Sequence, residues 1–325
     1  MEPSNPRPFA LNLLSALAAA ALVVAGCGSE NKSASSPSNG GPPASTRGFI
    51  SFASGSPAST FWSERDQALY VADNDNNQIW KWTDKSGLAA LATTADPGGQ
   101  VDASATLVGQ IIELENGTLV VARFGKPGGG FAGIAWVRQD GSTGLVPDLD
   151  ATFKRLGLTQ AADGSIYGTY FAKGASGKQT GSVTRVDLDH GETVIAHGFG
   201  KLVGLVAVAE TLYVSDQSAG VVYSAPLAAI PLEASAWTAF AQLPVPDLLC
   251  AGPSGTLFSG QFKAAAGSSN VAIRQIQNDG AVSAFVSLPD VAKPSGVAFD
   301  ATHHRLFAAD TGNVAKIGVH IFPVP

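Results

Sequence analysis

One pattern recurs six times along the chain: a turn, then a short, almost unbroken apolar strand. It occupies residues 68–73, 118–123, 165–170, 211–216, 256–261 and 305–310. The second residues of these strands stand at 69, 119, 166, 212, 257 and 306, so the period runs from 45 to 50 residues. Self-similarity at that period predicts a propeller or array with one four-stranded sheet per repeat. The remaining strands of a repeat are legible in the first one. Gln78, Ile79, Trp80, Lys81 and Trp82 alternate and follow the central strand as a hairpin, and residues 88–92 supply an outer strand. Asn-Gly and Asp-Gly pairs at 116–117, 140–141, 163–164 and 279–280 separate the apolar runs, as tight hairpins require. No segment carries a helical period with caps. Residues 227–237 come nearest, but Pro226 and Pro231 limit them to a loop or a short turn.

The last repeat offers three strands and then the chain stops, whereas residues 49–53 form an alternating strand with no local partner. The expectation is therefore an all-β, six-bladed β-propeller over residues 48–325, with four-stranded antiparallel blades and an N-terminal strand that completes the last blade. Such closure removes an exposed sheet edge.

The first 47 residues follow a different logic. Arg7 precedes an apolar stretch, 11–24, of signal-peptide length and too short for a comfortable membrane span. The stretch ends in Val24-Ala25-Gly26-Cys27, which resembles a bacterial lipobox. That resemblance implies a signal peptide over 1–26 and lipidation of Cys27. Residues 28–47 are nearly all Ser, Asn, Gly, Pro and Ala, a composition that cannot bury a core and reads as a tether. The expected address is the bacterial cell envelope, outside the cytoplasm, with the membrane as a partner through the lipid anchor.

Composition narrows the chemistry. The net charge is −6 with no run of Lys or Arg, which argues against nucleic acid as a partner. Charged residues make up 14% and hydrophobic residues 45% of the 325. A chain of this length buries roughly three quarters of its unfolded surface and needs no disulfides. Two cysteines exclude a disulfide framework, and Cys250, the one in the repeat region, sits among apolar neighbours as a small hydrophobe. The signatures of serine hydrolases, zinc proteases and P-loop enzymes are absent.

The segments 69–82 (LYVADNDNNQIWKW) and 294–313 (PSGVAFDATHHRLFAADTGN) resemble blades of NHL-repeat and gluconolactonase/senescence-marker-type propellers. The likeness covers all six repeats. It implies a divalent cation held by oxygen ligands at the channel mouth, and it can be followed residue by residue. The position of an early glutamate holds Ala58, four residues before Trp62. The position of an asparagine before a first-strand glycine holds Leu156 or Val203. A late Pro-Asp pair matches Pro246-Asp247, and Ser295 takes the comparable place in the last blade. Asp247 is the one carboxylate of the implied metal set, a thin supply for a hard cation. These residues require no cofactor, and the resemblance leaves room for a divalent cation at Asp247.

Antiparallel order puts the loop before each first strand and the loop after each second strand on one face. Gly-rich segments at 125–133, 172–181 and 263–270 make these the long loops, and binding residues concentrate on such loops. Lys154, Lys201 and Lys293 occupy one register in three repeats on that face, joined by Arg123, Lys126, Lys173, Lys178 and Lys263. Asp73, Asp216 and Asp310 end their second strands and are expected to cap their own turns. The same position holds Arg123, Tyr170 and Gln261 in the other repeats, a mixture suited to a polar rim. No carboxylate cluster for acid–base catalysis can be assembled. The expected function is binding of a small polar or anionic ligand, or of an envelope protein, on the long-loop face. One alternative is a metal-dependent, gluconolactonase-like hydrolase with a degenerate ligand set. Another is a structural scaffold in an envelope complex.

Overall fold

A computed structural model describes residues 47–94, 108–125, 132–174, 176–289, 292–312 and 317–325. The expected signal peptide, Cys27, most of the tether and Lys126 lie outside these residues. No helix among the described residues is long and apolar enough to cross a membrane.

Six four-stranded antiparallel sheets follow one another along the chain. Their inner strands are Pro57–Ser63, Val108–Glu113, Lys154–Gln160, Leu202–Val208, Leu249–Ala251 and Pro294–Asp300, defining blades 1 to 6. Each inner strand touches the next, and that of blade 6 touches that of blade 1, so the blades form a closed ring. Gly48–Ser51 is the fourth strand of blade 6. It pairs antiparallel with Gly318–Pro323 in the register Phe49 with His320 and Ile50 with Val319. The seam is then sealed by side chains: Ile50 and Phe52 pack with Trp62, Leu69 and Val71 of blade 1 and with Phe307 and Val319 of blade 6.

Burial runs outward from the axis. The second strand of blade 1, Ala68–Asp73, is wholly buried, whereas its outermost strand, Gly87–Thr93, is half-exposed. The apolar core is accordingly divided into layers between neighbouring blades rather than gathered at one centre. Leu202, Leu205 and Leu212 of blade 4, for example, pack on Val183 and Phe199 of blade 3. The 227–237 stretch forms two single 3₁₀ turns, Leu227–Ala229 and Ala234–Ala236, as its prolines require. The 172–181 segment departs from the loop expectation. The strands Ile166–Lys173 and Gln179–Asp187 pair as far as Lys173 with Gln179, so half of the segment belongs to an extended hairpin.

Close contact at the axis depends on small residues. A Cβ on Gly204 would sit 2.4 Å from the Asp247 carbonyl oxygen, and one on Gly296 would sit 2.4 Å from Ser59 Cα. Any side chain at either position would push adjacent blades apart. These glycines also mark irregularities in the ladder. Pairing between first and second strands shifts register between Arg155 and Leu158, between Leu202 and Leu205, and between Pro294 and Val297. Such bulges re-aim side chains. Here they turn Leu156, Val203 and Ser295 toward the channel. The amides freed by the bulges find hydroxyls on the second strands: Gly157 N–H donates to Thr169 Oγ1 at 2.9 Å and Gly204 N–H to Ser215 Oγ at 2.7 Å.

Candidate functional site at the channel mouth

Residues at the start of the inner strands and just after the second strands enclose a cavity of about 180 Å³. One ring of its lining is Ala58, Val108, Leu156, Val203, Asp247 and Ser295, one residue per blade. Phe124, Phe262, Asn74, Gln217, Thr311 and Lys201 complete it. The two loop classes expected to share a face therefore meet here. The positions compared with the family ligands, Ala58, Leu156, Val203, Asp247 and Ser295, all lie in the one ring, and three of the five are hydrocarbon.

Asp247 is the centre of polarity. It is 5% exposed, and its Oδ2 accepts a hydrogen bond from Ser295 Oγ at 2.7 Å. Burial pushes its pKa up to about 6, against the pull of the Ser295 hydroxyl, the Lys201 charge and the Leu248 amide. Its backbone is fixed from both sides. Asp247 N–H donates to the Gly260 carbonyl at 3.1 Å, and its own carbonyl accepts from Ser215 Oγ at 2.7 Å. Lys201 is held by its ammonium donating to Gln217 Oε1 at 2.7 Å. Burial lowers its pKa, while Asp247 pulls it back up and Lys263 adds to the lowering.

The three register lysines share an arrangement that sequence reading missed. Lys154 Nζ lies 5.4 Å from the Phe124 ring centroid, Lys201 Nζ 5.5 Å from that of Phe171, and Lys293 Nζ 5.4 Å from that of Phe262. Each phenylalanine belongs to the preceding blade and directly follows the position that holds Arg123, Tyr170 or Gln261. Contacts of this kind contribute ~0.5–2 kcal/mol, more when water is excluded. The signal was present in the sequence as Arg123-Phe124, Tyr170-Phe171 and Gln261-Phe262, each followed one blade later by a register lysine. Where the phenylalanine is replaced, by Asn74, Gln217 or Thr311, the matching position holds Thr106, Val245 or Ser56 and no lysine. Of the three lysines, only Lys201 lines the cavity itself. Lys154 and Lys293 rest on the phenylalanines that wall it, and burial lowers the pKa of Lys154.

The other candidates lie behind the wall. Arg123, Tyr170 and Gln261 are buried and do not line the cavity. Gln261 Oε1 accepts from Ala272 N–H at 2.8 Å, and Tyr170 stacks on Phe153 with centroids 4.5 Å apart. The strand-end aspartates cap their turns. Asp216 takes the amides of Ser218 and Ala219, and it also clamps the incoming loop through Gly200 N–H at 2.6 Å. Asp73 and Asp310 hold Ser56 N–H and Lys293 N–H in the same way, each at 2.8 Å. Their oxygens serve the scaffold, which sets the height of the register lysines.

A second cavity, about 310 Å³, opens toward the other end of the channel and shares no lining residue with the first. Cys250 lines it as a partly buried free thiol whose pKa burial pushes up, so it stays protonated and unreactive.

The fit to a divalent cation can be judged from the oxygens present. Hard cations take about 6–8 oxygen ligands. Asn74 Oδ1 already accepts from Val108 N–H at 2.7 Å, Gln217 Oε1 from Lys201, and Ser295 Oγ is spent on Asp247. Among the described residues no group of three or more His, Cys, Asp or Glu could hold a metal ion. The mouth does not fit the cation that the resemblance implies.

Comparison with known proteins bears on the same region. The family model SMP-30/Gluconolactonase/LRE-like region matches residues 56–309. A search of curated protein sequences finds no match. Among solved structures, a gluconolactonase from Xanthomonas campestris superposes with a TM-score of 0.64 at 18% identity, over 86% of this chain and 89% of that one. A luciferin-regenerating enzyme gives 0.63 at 16% identity, over 85% and 94%. Regucalcin, a calcium-binding protein from Agrobacterium tumefaciens, gives 0.63 at 12% identity, over 85% and 93%. At these identities the structural likeness establishes the propeller fold.

Proposed function

The chain belongs to the SMP-30/gluconolactonase/LRE-like family, and within it we propose a small-molecule-binding propeller held at a bacterial membrane by a lipid on Cys27. The observation that carries the binding reading is the mouth cavity. Its walls are largely apolar, and its polar groups converge on Asp247, Ser295 and Lys201. A few placed polar groups in an apolar enclosure are the usual anatomy of a ligand pocket. The ligand is small and carries a polar or anionic group beside an apolar body.

Thermal-shift screening of organic acids, sugars and lactones tests this reading. Binders should stabilise the wild type and leave Leu156→Trp, which fills the half-exposed mouth, unshifted. If every binder shifts both proteins alike, the mouth is not the site. The family membership favours a second reading, a lactonase. Lactone opening by the purified chain that depends on added Ca²⁺ or Mn²⁺ would establish it in place of pure binding.

A further inference from the structure

We infer that the Lys201 ammonium is the resident cation of this mouth, in place of a divalent metal, and that the ligand is a compact organic carboxylate with an apolar body. This rests on the mouth being the ligand site and goes further by naming the charge that reads the ligand.

Three observations converge. The first is the shortage of oxygens: the mouth ring presents Ala58, Val108, Leu156 and Val203, the Asn74 and Gln217 amide oxygens already accept from protein donors, and the Ser295 hydroxyl donates to Asp247. The second is the placement of Lys201. Its ammonium is anchored at 2.7 Å by Gln217 and stands close enough to Asp247 for each to shift the other's titration. A lysine ammonium has three donors, and Gln217 uses one. A divalent cation entering this space would meet a fixed positive charge, four hydrocarbon side chains and a single carboxylate, Asp247. A carboxylate would meet the two ammonium donors that Gln217 leaves. The third is the surround. Phe124 and Phe262 wall the cavity, and their faces are already turned to Lys154 and Lys293, so two further positive charges flank the opening. A low-dielectric wall strengthens the pull of such charges on an anion. An apolar body fits against Leu156, Val203 and the two rings.

The probe is benzoate, titrated calorimetrically into the full-length chain in the presence of EDTA. One-site binding unaffected by EDTA is expected. Lys201→Met should weaken it by about 10- to 100-fold, the range for losing a hydrogen bond to a charged group. Lys201→Arg should retain most of the affinity. Benzamide has the same shape without the charge, and it should bind weakly and equally to wild type and Lys201→Met. Ca²⁺ and Mn²⁺ added alone should give no saturable signal.

The inference is overturned if benzoate and cyclohexanecarboxylate both fail to bind, if EDTA abolishes binding, or if Lys201→Met binds benzoate as the wild type does. A Ca²⁺ or Mn²⁺ site lost in Asp247→Asn would overturn it too. The two claims separate cleanly. A neutral ligand that binds wild type and is blocked by Leu156→Trp, with no carboxylate binding, leaves the mouth as the ligand site and sinks the lysine inference alone. Binders indifferent to Leu156→Trp sink both.

Discussion

The side-chain amide of Gln110 pairs twice with the backbone of Leu205, two blades away: Oε1 accepts Leu205 N–H at 3.1 Å and Nε2 donates to Leu205 O at 2.9 Å. The same side chain accepts from Leu158 N–H at 3.2 Å and donates to Leu249 O at 2.8 Å. A glutamine amide has two donor hydrogens and two acceptor lone pairs, and all four are used. Gln110 thus behaves as a strand edge, satisfying backbone groups that the inner strands of blades 3, 4 and 5 turn toward the axis.

Replacing Gln110 by Leu keeps the volume and removes all four bonds. Each orphaned buried group costs about 1–3 kcal/mol. The variant should lose roughly 3 kcal/mol or more in urea unfolding. A loss below about 1 kcal/mol would mean that water replaces the amide without penalty.

Asp247 makes stability depend on pH with a definite sign. Its folded pKa of about 6 lies above the ordinary 3.8, so the native state holds the proton more tightly than the unfolded chain. The contribution of Asp247 to stability therefore falls as pH rises from about 4 to about 6, and the loss is complete above that. Asp247→Asn removes the charge. It should be more stable than wild type at pH 7.5, by up to about 3 kcal/mol, with the gap closing toward pH 4. Denaturant titrations at the two pH values check this, and equal stability at pH 7.5 would contradict it.

Seam closure predicts a sharp boundary for truncation. Deleting residues 1–46 leaves the Gly48–Ser51 strand and should not change the melting temperature. Deleting 1–54 removes that strand and the buried Ile50 and Phe52, and it leaves Gly318–Pro323 as an open edge. The longer truncation should melt markedly lower. Coincident melting curves would show that the seam does not need the strand.

The lipid anchor predicts a fractionation result. Wild type expressed with its first 27 residues should sediment with membranes, and Cys27→Ser should appear in the soluble fraction with an unchanged melting temperature. A wild type already soluble would rule the anchor out.

The sequence alone determined the six-blade ring, because a blade is a local object. Its period-2 alternation, its Asn-Gly and Asp-Gly turns and its buried second strand are set by residues within one repeat. Even the seam was legible, since a lone strand at one end and a three-stranded repeat at the other have one economical solution. The sequence also placed Asp247, Ser295 and the three lysines on one face, by register. Only the tertiary structure decided which of them meet. The Asp247–Ser295 bond joins blades 5 and 6, the lysine–phenylalanine contacts each join two blades, and the four bonds of Gln110 span four. Such contacts depend on the radius at which a side chain sits and on where a bulge turns it, and neither is encoded in the pattern of a single repeat. Arg123 and Gln261 read as rim residues because their neighbours along the chain are loops. Both are buried in the ring, where Gln261 N–H donates to the Pro294 carbonyl of the next blade, a contact that no single repeat encodes.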